Sequence, residues 1–144
     1  TRKMGNQALV DAHILVDPKI SVSEGHFIAE SARSRVLNNH DVLNVMVHVD
    51  PEDDVHRKPS IHLPDRKNML SIISEKLGLE PEKTVLHYLD GRIDVEIFLP
   101  HEFFEDRCNV DILENRIVDL LKEAPDFRSI RLHKTGAEMI RGAP

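Results

Sequence analysis

Ala8-Leu9-Val10-Asp11-Ala12-His13-Ile14-Leu15-Val16-Asp17, Ser21-Val22-Ser23-Glu24-Gly25-His26 and Val45-Met46-Val47-His48-Val49-Asp50-Pro51 decide the fold. The first and third alternate with period two, as strands do. In the first, Ala8, Val10, Ala12, Ile14 and Val16 share one face, and Leu9, Asp11, His13, Leu15 and Asp17 share the other. In the third, Leu43, Val45, Val47 and Val49 oppose Asn44, Met46, His48 and Asp50. Between them, Ser21 with Glu24 three residues on reads as a capping box. Ile28, Ala29, Ala32 and Val36 then recur at helical spacing, and Asn38-Asn39 can end the helix in a left-handed conformation. A β-α-β unit of this size closes with parallel strands. The helix takes the apolar sheet face, so His13, His48 and Asp50 are expected on the face it leaves open.

The 144 residues suffice for one core or two small ones. A net charge of -6 with 4% aromatic residues excludes a nucleic-acid surface, which needs basic stripes and stacking rings. The single cysteine, Cys108, excludes an internal disulfide framework and fits a reducing compartment; it is expected to be partly buried early in the last helix. No apolar run reaches the roughly 18 residues of a membrane span, and the opening Thr1-Arg2-Lys3-Met4-Gly5 does not resemble a signal peptide. Nine histidines favour a transition-metal site, imidazole being the commonest such ligand.

Downstream, Pro51, Pro59 and Pro64 mark a charged linker in which His56-Arg57-Lys58 and His62 are expected to be solvated. Asp65 caps a helix to about Leu77, with Met69, Ile72, Ile73 and Leu77 as its stripe and Gly78 as its stop. Thr84 to Leu89, the Asp90-Gly91 turn and Arg92 to Leu99 form a hairpin. Val110, Leu113, Ile117 and Leu121 mark a final helix stopped by Pro125, and Ser129 to His133 a last strand. His40 and His101 are expected on the surface, as are Asp11, Asp17, Asp53 and Asp54.

The chain also repeats itself. His26 to His48 aligns without a gap onto Asp111 to His133, placing Ile28 on Leu113, Ala32 on Ile117, Val36 on Leu121, Val45 on Ile130 and Val47 on Leu132. Upstream, Asp11 aligns with Asp94, His13 with Glu96 and Ile14 with Ile97. The two units should therefore share one fold. The division is 1–54 for a first, partial unit, 55–64 for the linker, 65–135 for a second unit and 136–144 for a loose tail.

Arg2-Lys3-Met4-Gly5-Asn6-Gln7, Asp11-Ala12-His13-Ile14, Ser23-Glu24-Gly25-His26 and Val47-His48-Val49-Asp50-Pro51 together resemble the cytoplasmic C-terminal domain of the cation diffusion facilitator family. These are metal-proton antiporters with six membrane helices followed by a soluble, dimerising domain. The resemblance is clear over residues 2–51 and weaker, as a tandem second copy, from about Asp65 to His133. It implies an α+β fold of two metallochaperone-like (ferredoxin-like αββαβ) units, each with its helices on one face of a small mixed sheet. The family's first helix and part of its first strand, often with a further histidine, precede the point matching Thr1. The first unit is thus expected to be truncated at its N-terminus, with His87 as the second copy's match to that histidine.

The same resemblance implies a metal site of His13, His26, His48 and Asp50 at a dimer interface. It also implies a cytoplasmic-face location, a homodimer and covalent continuity with a transmembrane transport domain. Three histidines and a carboxylate suit Zn2+, and also Fe2+, Mn2+ or Ni2+. His48 and Asp50, two apart on a strand, lie about 7 Å apart on one face, and His13 joins them if the strands are neighbours. His26 lies on the helix layer, which favours its arrival from a second subunit. His87, Glu96, Asp111 and His133 form a second, weaker candidate set, and the two copies either pack on each other as a pseudo-dimer or pair across chains.

Three functions compete: a metal-sensing regulatory domain of an efflux transporter, a metal-free dimerisation module and a metal-dependent hydrolase. The last would need a nucleophile elbow, a His-Glu-x-x-His or a glycine-rich phosphate loop, and the sequence contains none of them. A non-enzymatic role is expected. Histidine protonation competes with metal, so binding should weaken below about pH 6.5, the ordinary histidine value.

Overall fold

A computed structural model describes residues 1–4, 7–53 and 61–136. The chain is α+β and divides into two compact units, residues 1–57 and 58–144. Each holds a three-stranded mixed sheet. The linker segment 54–60, with the solvated positions expected at His56-Arg57-Lys58, and the tail 137–144 lie outside the described residues.

The first unit runs β1 (Arg2–Met4), β2 (Gln7–Leu15), α1 (Val22–Leu37) and β3 (Val42–Asp50). Ser21 caps α1 by accepting from the Glu24 amide at 3.1 Å. At the other end Asn38 keeps right-handed helical angles, with its N–H bonded back to Ser34 and Val36, so the left-handed stop expected there does not form. Strands β2 and β3 are parallel, and β1, which the alternation pattern did not reveal, adds antiparallel to β2. A bulge separates Ala8↔Val42 from Leu9↔Asn44. Leu43 is the extra residue and is exposed rather than part of the apolar face.

The second unit runs α2 (Arg66–Ile72), continued by a π turn (Ile73–Leu77), then β4 (Lys83–Leu89), β5 (Arg92–Pro100), a 3-10 turn (His101–Phe104), α3 (Arg107–Glu123) and β6 (Phe127–Thr135). Gly78 ends the first helix at φ +69, where a side chain would be strained, and Asp90-Gly91 turn the hairpin at φ 50 and 68. Met69, Ile73 and Leu77 from one helix and Leu113, Ile117 and Leu120 from the other bury Ile93, Val95, Ile97 and Leu99 of the central strand. Leu63, expected in the linker, belongs to this core, and the Tyr88 hydroxyl donates to the Pro64 carbonyl at 3.0 Å, so the unit begins before Asp65. Cys108, expected to pack, is exposed on the first turn of α3.

An offset of 85 carries the described elements of the first unit onto the second. It maps Ala8↔Val42 onto Ile93↔Phe127 and Leu9↔Asn44 onto Asp94↔Ser129, bulge included. It also maps the N-cap Ser21 onto the N-cap Asp106 and Arg2↔Leu9 onto His87↔Asp94. The sequence alignment of β2 is therefore out by two. His13 corresponds to Phe98, Glu96 to Asp11, and His87 to Arg2 rather than to a residue upstream of Thr1. Strand side chains repeat every two residues, so a slip of two keeps apolar on apolar and only the ladder exposes it.

The same comparison explains unequal burial. Ile93, Val95, Ile97 and Leu99 are 0–3% exposed, whereas their counterparts Ala8, Val10, Ala12 and Ile14 are only half-buried. The second unit has α2 over this face, and the described first unit has α1 alone.

Asp94, 8% exposed, is held by the Arg128 guanidinium through Nε at 3.0 and 3.1 Å and through Nη2, and accepts the Ser129 hydroxyl at 2.6 Å. Arg128 is the bulged residue of β6, so this pair fastens the irregular end of the sheet. The Arg128 bond, opposed by burial, holds the Asp94 carboxyl down at about 2, from 3.8. A depressed carboxylate stabilises the fold above its unfolded value, and that stabilisation fades as pH falls through about 2. Discounted for the exposed side of Arg128, it is worth about 1–2 kcal/mol. Asp94→Ala should lower second-unit stability by that amount at pH 7, and by much less near pH 2. Denaturant titration followed by circular dichroism at both pH values measures it.

Candidate metal site

The topology gathers the candidate ligands of the first unit at one end. Strand β2 runs toward Leu15, the chain turns, α1 begins at Val22, and parallel β3 returns to finish at Asp50. The C-terminal ends of β2 and β3 and the N-terminus of α1 thus lie together. His13 and His48 face each other across the ladder, and Leu15 pairs with Asp50. The two imidazoles stack with centroids 4.8 Å apart and planes 11° from parallel. His13 Nδ1 lies 2.8 Å from Asp50 Oδ2. His13, Asp11 and Leu15 alternate as exposed residues on this face, with Met46 and His48 exposed beside them, as the strand phase predicts.

His26 occupies the same end but the other layer. It lines a groove of about 400 Å³ on the helix side, with Val16, Ile20, Ala29 and Val49. The groove has a reason in sequence. Positions 85 on from Pro18-Lys19 are Phe103-Phe104, whose rings pack against the core of the second unit. Where the first unit has proline and lysine, the niche stays open.

Three of the four expected ligands therefore meet, and His26 does not join them within one chain. Two imidazoles in nearly parallel planes aim their lone pairs alongside each other, so sharing one ion requires one ring to turn. Accordingly, among the described residues no group of three or more His, Cys, Asp or Glu side chains is arranged to hold a metal ion. The donor chemistry nevertheless fits a divalent metal: exposed imidazoles and a carboxylate on one edge.

The second set is divided differently. Glu96 sits between His87 and His133, each Nε2 3.5 Å from one carboxylate oxygen, with Arg131 Nη1 at 3.7 Å. Both Nε2 atoms are buried without a hydrogen-bond partner. Asp111 lies apart, exposed on the helix layer. His133 keeps a ring stack, 4.7 Å from Phe98 at 15°, the same pair of positions as His48 on His13 with one imidazole replaced by a phenyl. Thr135 stands where the first unit has Asp50, and its hydroxyl bonds Glu82 at 2.8 Å and the Leu99 carbonyl at 3.0 Å. The second unit preserves the scaffold and replaces the donors.

His40, His62 and His101 are exposed, as expected. Two features escaped the sequence. The Asp94–Arg128 pair left no signal, because the bulge that aims Arg128 is not written in the alternation. The His13–Asp50 bond had one: a histidine and an acid on the open faces of neighbouring strands.

Residues 1–52 match the cytoplasmic domain of cation efflux proteins. They are 40% identical over 52 residues to the uncharacterized transporter YdbO of Bacillus subtilis, which spans 36% of this chain and 18% of that protein. They are 41% identical over 51 residues to metal tolerance protein C1 of Arabidopsis thaliana, covering 35% of this chain and 11% of that protein. The first unit is thus similar to the cytoplasmic domain of cation efflux proteins. The match spans less than a fifth of each relative. No solved structure matches the chain at a significant level. Among the described residues no helix is long and apolar enough to cross a membrane.

Proposed function

We propose that this chain is the cytoplasmic regulatory part of a divalent-cation efflux transporter, a metal/proton antiporter, continuous with a membrane transport domain. It binds Zn2+, or a related ion such as Fe2+, Mn2+ or Ni2+, and dimerises to control transport. The observation that carries this reading is the pairing of His13 with His48, with Asp50 bonded to His13, on an exposed sheet edge whose end also bears His26. His26 faces away from the pair in its own chain, so a second copy is its natural route to the site.

Exposed Leu15 and Met46 flank the imidazoles and supply apolar surface for that copy. Regulation is linkage: a cation that binds the paired state better than the separated one shifts the population by its differential affinity. For a cation that binds the paired state alone, this amounts to about 2.7 kcal/mol at 100 times the dissociation constant.

The test is a zinc titration followed by sedimentation velocity. A shift from monomer to dimer, reversed by chelator, is the expected result. A constant sedimentation coefficient with no zinc retained would sink the sensing role, and a metal-independent dimer would leave a passive pairing module.

A further inference from the structure

We propose that the groove on the helix side of the first unit is a docking site for a partner peptide with adjacent aromatic side chains flanked by lysine or arginine. The inference goes beyond the metal reading and uses the apolar wall of the groove, not His26 at its edge.

The aromatic part of the claim comes from the second unit. There Phe103 and Phe104 fill the equivalent niche, edge to face with centroids 5.7 Å apart and planes at 80°, and pack against the core. The scaffold therefore accepts a pair of phenyl rings at this place. The first unit has the seat without the rings, because Pro18 and Lys19 stand at those positions. Val16, Ile20, Val47 and Val49 form the wall, and Gly25 and Ala29 leave room where the second unit has Val110 and Glu114. Val22, 92% exposed, extends the apolar surface at the mouth. At about 400 Å³ the groove is of the size that holds ligands, about 300–1,000 Å³.

The basic part comes from charge. In the second unit the Lys134 ammonium lies 5.1 Å from the Phe104 ring centroid, where the face of the ring attracts a cation. Val49 takes that position in the first unit, so no cation comes from there. The lips of the groove are acidic instead. Asp17 lines one side, and Glu52-Asp53 follow Pro51, which lines the other. Lys19 is the only lysine or arginine in residues 16–29 and 47–53. A segment that brings both rings and cations meets the apolar wall and the acidic lips together.

The probe is the end-blocked peptide Arg-Lys-Phe-Phe-Lys-Arg, added to the whole chain with chelator present. Methyl 1H–13C spectra should show shifts at Val16, Ile20, Val47 and Val49, with Ile93, Val95 and Ile97 of the second unit unmoved. Replacing both peptide phenylalanines by alanine, or its basic residues by glutamate, should weaken binding by about tenfold or more. Pro18→Phe with Lys19→Phe gives the first unit the rings of the second and should abolish the shifts. In Gly25→Val the new Cβ lies 3.6 Å from Val49 and 3.8 Å from Ile20, and the further methyls narrow the groove. That variant should bind about tenfold more weakly. Absence of shifts at millimolar peptide overturns the proposal, as does equal binding of the alanine or the glutamate peptide, or undiminished binding in both variants. The metal reading stands or falls separately, because the peptide is tested without metal and zinc-driven association is tested without peptide.

Discussion

Zinc-driven association should vanish in His48→Ala, while the fold stays intact. His48 lies on an exposed sheet face, stacked on His13 and paired to it only through the backbone ladder, so its side chain holds no core together. Removing it takes one of the few imidazole donors from a site in which each donor counts. An affinity loss of about 100-fold, about 2.8 kcal/mol, is enough to move the midpoint of dimerisation beyond a usual titration. The counterpart variant provides the control. His133→Ala removes the histidine at the same place in the second unit, where Phe98 and Thr135 have replaced the other donors. It should leave the zinc response unchanged. Sedimentation velocity and titration calorimetry on both variants read the outcome. Equal responses from the two would mean that the first unit is not where the cation acts.

Much of this arrangement could be read from residues. Alternation placed His13, His48 and Asp50 on one face, and the spacing of Ser21 from Glu24 placed the start of α1. Met69, Ile73 and Leu77 announced the helix that seals the second unit. The failures within the sheets share one physical cause. Strand side chains repeat every two residues, so periodicity gives a face but not a register. The repeat is legible in the residues, yet periodicity alone aligns β2 two residues out of step, matching His13 to Glu96 where the ladders make it equivalent to Phe98. The bulges at Leu43 and Arg128 were silent for the same reason. His26 was legible as a residue of the other layer, and its separation from His13 and His48 follows from the crossover alone.

The register correction matters for function because it changes what the second unit is. A slipped alignment makes it a weaker copy of the metal site, with Glu96 standing in for His13. The ladder makes it a copy whose donor positions are a phenyl ring and a threonine. It also has a helix over its sheet, a pair of phenylalanine rings in its niche and a fastened bulge. The first unit keeps imidazoles, an open groove and a half-covered sheet. One fold thus carries two sets of side chains, a closed core in the second unit and exposed imidazoles beside an open groove in the first.

That contrast predicts a large stability difference between equivalent substitutions. Ile97 is 0% exposed between α2, α3 and the sheet, so Ile97→Ala leaves a cavity that a tight core cannot close. Truncations of this kind cost about 2–5 kcal/mol, and full enclosure puts this one at about 3–4 kcal/mol. Val10, on the corresponding sheet face of the first unit, is only half-buried, and Val10→Ala should cost about 1 kcal/mol because much of its surface already meets water. Hydrogen exchange read by mass spectrometry separates the two units within one chain. Ile97→Ala should lower protection across Arg92–Pro100 and Arg107–Glu123 and leave Gln7–Leu15 as it was. Val10→Ala should alter only the first unit, and slightly. If Val10→Ala proved as costly as Ile97→Ala, the helix-side face of the first unit would have to be covered in solution, and the open groove beside His26 would be closed with it.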